Sequence, residues 1–331
     1  MRSMRFVLWF VLVLGLCWAG YWFAGSRAVE QAALKWFADQ KAAGLVASND
    51  GVSVAGFADR FDLTVTNPQL ADPVSGWGWR APFAQVFAMT WKPWHLIAAL
   101  PNSQVIAVPG GEKITVGSSR LMASLLMQPS RTLGFERAVV EGDALTLTSD
   151  LGWTSSVDKI VLAAERDATR VNTLRFGADL TTLTLPEAAA HVPNLGAVLS
   201  KMHLDAHVTL SQPIDRNLSG AQVLDMTLTD LQITWGALNL TARGTVKPDA
   251  QGLAQGKIDL SLKGWRNLGA ALVALGLIPP TNGVTVNRGL EFLAKASPDP
   301  EVINLPLTFA EGWMNLGPLP LGPAPLLAQQ Q

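Results

Sequence analysis

Met202-His203-Leu204-Asp205-Ala206-His207-Val208-Thr209-Leu210 alternates apolar and polar residues along its whole length. Successive side chains of an extended strand point to opposite faces. Leu204, Ala206 and Val208 therefore share one face, and His203, Asp205 and His207 share the other. The same period of two recurs at residues 61–66, 145–148, 224–228, 238–246 and 258–262. Threonine is frequent on the polar side, as suits a pleated, half-solvated surface. Turn-forming groups punctuate the runs, among them Asn67-Pro68, Pro109-Gly110-Gly111 and Asp249-Ala250-Gln251-Gly252. One apolar face per strand implies antiparallel pairing with that face covered. The expected fold class is mainly β, a β-rich α+β arrangement: large twisted antiparallel sheets, a few covering helices, and one transmembrane helix in front.

That helix is read from residues 6–25, FVLWFVLVLGLCWAGYWFAG, which carry no charge. Twenty residues at about 1.5 Å each match the roughly 30 Å hydrocarbon core of a bilayer. Leu, Val and Phe there favour insertion by about 0.3–0.6 kcal/mol apiece. Arg2 and Arg5 precede the run. Positive charge stays on the cytoplasmic side, so the bulk of the chain is expected to cross. Trp18, Tyr21 and Trp22 fall where an interfacial aromatic belt forms at the exit. A cleaved signal peptide fits poorly, because bulky aromatic residues flank Ala19 where small ones are needed. The expected organisation is an anchor over residues 1–25 and a single β-rich domain over 26–331, ending in a proline-rich extended tail at 312–327.

Helical spacing adds a few elements. Residues 26–44 place Val29, Ala33, Trp36 and Phe37 against Glu30, Lys35 and Asp39, with Ser26 as the starting cap and Gly44 as the stop. Residues 186–202 form a second candidate, interrupted at Pro193, residues 265–277 a third and residues 287–295 a fourth.

Composition narrows the function. Of 331 residues, 49% are hydrophobic and only 15% charged, against about 25% charged in typical soluble domains. The chain must hide much apolar surface or use some of it for binding. The net charge of −1, without a basic run, argues against nucleic acid as a partner. The single cysteine, Cys17, lies in the anchor, so the domain holds no disulfide, thiolate metal site or cysteine nucleophile. Twelve tryptophans stand beside one tyrosine. Core packing with a satisfied indole N–H is the plain reading. Trp77, Trp79, Trp91 and Trp94 are the candidate groove or interface aromatics.

The sharpest chemical pattern is His203-x-Asp205-x-His207, with ligand types that suit zinc. On one strand these groups stand about 6.5–7 Å apart and do not converge without a bulge, so a solvated strand face is the better reading. Ser156-Val157-Asp158-Lys159 has the letters of a serine nucleophile motif but lies in a strand-like run. His191 has no carboxylate or nucleophile beside it in sequence, and Asn217-Leu218-Ser219 matches only a short glycosylation pattern. No catalytic, cofactor or metal residues are assigned, and the expectation is a non-enzymatic protein without cofactor.

Several blocks resemble a known family: Gly56-Phe57-Ala58-Asp59-Arg60-Phe61, Ala81-Pro82-Phe83, Trp91-Lys92-Pro93-Trp94-His95, Ser149-Asp150-Leu151-Gly152-Trp153, Trp235-Gly236-Ala237-Leu238 and the Leu-Gly-Pro repeats of residues 316–325. In this order they resemble the bacterial family catalogued as domain of unknown function 2125. The resemblance implies a single-pass inner-membrane protein with its C-terminal domain in the periplasm, and carries no activity or catalytic residue. More distantly, the architecture is similar to AsmA-like envelope proteins, which are associated with lipid transport. The partners expected are the lipid bilayer and a phospholipid or other envelope lipid held in an apolar groove. The alternative is a structural or adaptor role toward other envelope proteins.

Overall fold

A computed structural model of the chain describes residues 2–187, 192–217, 220–276, 278–295, 298–317 and 319–328. It divides into two compact units, Met1–Leu126 with Thr148–Leu151, and Met127–Leu147 with Gly152–Gln331.

The first unit begins with α1, one uninterrupted helix over Arg2–Ala42. It is long and apolar enough to cross a membrane. Gly44, at φ 91°, stops it as expected, with its N–H donating to the Lys41 carbonyl. Ser26 is no cap. The helix runs straight through it, and its hydroxyl donates back to the Phe23 carbonyl at 3.1 Å. Ten strands follow: β1 (Val46–Ser48), β2 (Gly51–Ala55), β3 (Arg60–Thr66), β4 (Gln69–Ala71), β5 (Gly78–Arg80), β6 (Phe83–Met89), β7 (Lys92–Ala99), β8 (Ser103–Ala107), β9 (Lys113–Gly117) and β10 (Arg120–Met127). They pair antiparallel in two ladders, β1–β4–β5–β8–β9 and β2–β3–β6–β7–β10. Phe37 of α1 packs into a small core with Ala47 and Val65.

The second unit holds β11 (Phe135–Ser149) up to Leu147 and then a long meander: β12 (Thr154–Arg166), β13 (Thr173–Thr184), β14 (Val198–Leu210), β15 (Val223–Trp235), β16 (Leu238–Pro248), β17 (Ala254–Lys263), β18 (Val302–Ala310), β19 (Trp313–Leu316) and β20 (Leu319–Pro323). From β12 to β20 each strand pairs antiparallel with the next. The period-two runs of the sequence lie within β3 of the first unit, within β11, and within β14–β17 of the meander, and the expected β-rich antiparallel class is the observed one.

Between β17 and β18 the chain makes a tight turn at Trp265–Asn267 and two helices, α2 (Leu268–Ala274) and α3 (Gly283–Lys295). Gly269 lets them touch. Its N–H donates to Asn287 Oδ1 at 3.0 Å, and a Cβ there would stand 2.2 Å from the Gly283 carbonyl.

Two further expectations are revised. The helix expected at 186–202 gives way to β14, which starts at Val198; residues 188–191, His191 included, lie outside the described residues, as do Leu218 and Ser219 of the glycosylation letters. Leu199 and Met202 register against Trp235 and Ile233, so ladder pairing overrides the local helical pattern. Asn194 and Gly196, both at positive φ, form the turn that feeds the strand. The proline-rich end, in turn, is extended but held. It forms β19 and β20, buries Ala324, and closes with Ala254 N–H donating to the Pro325 carbonyl at 2.8 Å.

Candidate functional site

The register of the second unit aligns its apolar residues into continuous rows. Leu180, Met202, Ile233, Leu240, Leu262 and Ile303 stand opposite one another across β13–β18. The next row is Ala178, Leu204, Leu231, Ala242, Leu260 and Leu305, with Leu162 of β12 opposite Ala178. A third holds Phe176, Ala206, Leu228, Gly244, Ile258 and Leu307. No charged side chain stands in these rows. One face of the sheet is thus apolar across six strands and three rows.

Two clusters cover parts of this face. At one end Trp265, Ala271, Leu290 and Ala294 pack with Trp235, Leu262, Ile303 and Leu305. Trp235 and Trp265 are almost fully buried, and their indole N–H groups donate to the Gly196 and Pro300 carbonyls at 2.9 and 3.1 Å. At the other end Phe309, Val246 and Ala324 pack with Leu253, Ile258 and Leu307. Neither cluster, among the described residues, takes in Phe176, Leu204, Leu228, Leu231 or Leu260, which remain half-buried. Leu162 is 42% exposed. The helical end carries an apolar pocket of about 430 Å³ between α2 and α3, lined by Val192, Pro193, Val273, Pro280 and Val284.

The opposite face is a ladder of paired charges. Arg175 Nε and Nη2 donate to Asp205 Oδ1 and Oδ2 at 3.0 and 2.9 Å. His203 Nδ1 lies 2.7 Å from Asp179, and His207 Nδ1 lies 3.2 Å from the Thr229 hydroxyl. The three residues of the His-x-Asp-x-His pattern therefore face three different partners. Among the described residues no three His, Cys, Asp or Glu side chains are placed to share a metal ion. Ser156 and Lys159 lie on β12, as the strand reading requires.

The Arg175 guanidinium holds the Asp205 carboxyl below its ordinary range. Its stabilisation is complete above the unfolded value near 3.9 and is lost as pH falls through the depressed folded value. Asp205→Asn is expected to cost up to about 1 kcal/mol at neutral pH, because Arg175 is more than half exposed. Urea titrations of both forms should show that gap vanish once Asp205 is protonated in the folded protein.

The tryptophans singled out from sequence fall into two pairs on the first unit. Trp79 on β5 donates its indole N–H to the buried Gln104 at 2.6 Å and lines a small pocket of about 210 Å³ with Leu70 and Val105. Trp77 precedes it and is exposed. Trp94 lies on β7, and Trp91 is exposed in the turn before it. The two pairs sit on different ladders, and among the described residues no ring contact joins them.

The belt residues Trp18, Tyr21 and Trp22 join Phe57 and Phe61 in a second aromatic set that the sequence did not assemble. Trp18 Nε1 donates to the Ala58 carbonyl at 2.8 Å, Tyr21 Oη to Thr90 at 2.7 Å, and Trp22 Nε1 to Arg60 at 2.7 Å. Trp22 meets Phe57 edge-on at 5.4 Å and stacks on Phe61 at 6.3 Å. Gly25 makes room for Phe61, whose Cζ would lie 2.5 Å from a Cβ at that position. Tyrosine and tryptophan polar tips that suit a lipid interface are here bonded to the backbone of two hairpin turns. The pattern of an aromatic belt was legible, but its partners lie 38–69 residues away.

A helix fit to span a membrane, joined to an antiparallel β body with an apolar sheet face, defines the class of this protein. Within that class the chain belongs to the family described as an uncharacterised protein conserved in bacteria, DUF2125, whose model matches residues 22–325. No curated protein and no solved structure matches the chain.

Proposed function

We propose that this protein is a non-enzymatic component of the bacterial cell envelope, tethered in the inner membrane by α1 with its strands in the periplasm, and that the apolar sheet face of the second unit takes up lipid acyl chains. The observation that carries the reading is the half-buried strip of Phe176, Leu204, Leu228, Leu231 and Leu260 between two covered ends. Apolar side chains left partly in water forgo about 25 cal/mol for each Å² still exposed. An acyl chain laid along the strip recovers that term, at about 0.8 kcal/mol per buried methylene. Polar headgroups would stay outside, since the rows offer no hydrogen-bonding side chain. The tethering helix supports the same reading, because a chain anchored in a bilayer stays attached to a source of lipid. The described part of the C-terminal segment is held by β19, β20 and the Ala254 bond, so an adaptor role, the alternative reading, would act through a paired segment or a sheet edge.

Photo-crosslinking separates the faces. p-Benzoylphenylalanine at Leu204 or Leu231 in the full chain should yield phospholipid adducts in cells, and at His203 or Gln232, on the opposite face, should not. Equal labelling of both faces, or none at Leu204 and Leu231 while a probe at Leu12 in α1 is labelled, would remove the lipid reading.

A further inference from the structure

We infer that two hairpin turns of the first unit, residues 56–60 and 89–92, are immersed in the interfacial layer of the bilayer leaflet from which α1 emerges; the inference rests on α1 spanning the membrane. The argument is one of length. α1 first touches the body of the protein at Trp18, through the bond to Ala58. Arg5 precedes the uncharged run. From Arg5 to Trp18 the helix rises only about 20 Å, whereas the hydrocarbon core is about 30 Å thick. Tilting the helix shortens its projection and draws Trp18 deeper. The turns bonded to residues 18–22 cannot then sit clear of the bilayer.

Their chemistry fits that position. Phe57 and Trp91 are 59% and 56% exposed, and Met89 is exposed as well. The carbonyls of Ala58, Arg60 and Thr90 accept hydrogen bonds from Trp18, Trp22 and Tyr21, and the main-chain carbonyl of Asp59 accepts two from Thr90, N–H at 3.0 Å and hydroxyl at 3.1 Å. Backbone groups satisfied within the protein tolerate a medium poor in water. Asp59, Arg60 and Lys92 set the depth, since ionised groups keep to the headgroup level. The layer reached is therefore the interfacial one, where tryptophan and phenylalanine are favoured.

The test uses the full chain with Cys17→Ser, reconstituted in phosphatidylcholine–phosphatidylglycerol vesicles. A nitroxide is placed singly at Phe57→Cys, Trp91→Cys, Leu12→Cys or Val74→Cys. Val74 is 96% exposed, in the turn after β4, whose Ala71 pairs with Val46 beyond the far end of α1. Collision with a water-soluble nickel chelate should be several-fold lower at positions 57 and 91 than at 74, with collision by oxygen raised. Because Phe57 packs on Trp22 and Phe23, Trp91→Cys is the decisive site. A lipid-like signal at Leu12 with nickel access at 57 and 91 equal to that at 74 overturns the immersion alone. Water access at Leu12 overturns the membrane tether and the immersion with it.

Discussion

Trp235→Ala is expected to destabilise the second unit by about 3–5 kcal/mol, the range for truncating a large buried aromatic side chain. Trp235 is 2% exposed and lies in the cluster that joins β14, β15 and β16 to the helices. Removing it opens a cavity that Leu199, directly opposite on β14, cannot fill. It also strips the Gly196 carbonyl of its 2.9 Å partner. Trp235→Phe keeps most of the ring and loses the hydrogen bond, so it should cost nearer to 1–3 kcal/mol. Urea unfolding followed by circular dichroism measures both. Equal, small losses would mean that the helices are not held through this residue.

Gly244→Val should be worse, exceeding the 1–3 kcal/mol usual for overpacking and leaving little folded protein. A Cβ at Gly244 would stand 2.2 Å from the Lys257 carbonyl oxygen and 2.5 Å from Ile258 Cα. These are backbone atoms of the neighbouring strand, fixed by the Thr245–Lys257 and Gly244–Ile258 pairings, and they cannot swing aside like a side-chain tip. A Cβ added at Gly256 would likewise stand 2.3 Å from the Thr245 carbonyl oxygen. The two glycines permit the close approach of β16 and β17. Gly177→Ala in β13 is the control. Its nearest neighbour is the Leu204 carbonyl oxygen at 4.0 Å, so the added methyl fits. Soluble yield and urea midpoints should separate the two variants sharply. Similar behaviour would show that the contact at Gly244 is not limiting.

The candidate lipid face was half legible in advance. Leu204, Ala206 and Val208 could be placed on one side of a strand from their spacing alone. That Leu204 faces Leu231, and that both lie beyond the reach of Trp265 and Phe309, could not. Met202 shows the difference well. Its place in the alternation is local, yet the cluster it packs against takes in Ala271 and Leu290 of the two helices, far later in the chain. The segment at 77–94 is rich in tryptophan, whereas the aromatic residues that join α1 to the hairpin turns of the first unit are Trp18, Tyr21, Trp22, Phe57 and Phe61.

From the sequence alone followed an apolar helix of membrane-spanning length and a body of strands with one oily and one polar side. Both are consequences of short-range geometry: rise per residue in the helix, and a side-chain direction that reverses at each strand position. Only the tertiary structure decided which strands are neighbours, where the covering helices stop, that the last prolines are paired, and that the hairpin turns clasp α1 at Trp18. Those outcomes depend on pairings between residues distant along the chain, whose free energy no local repeat encodes.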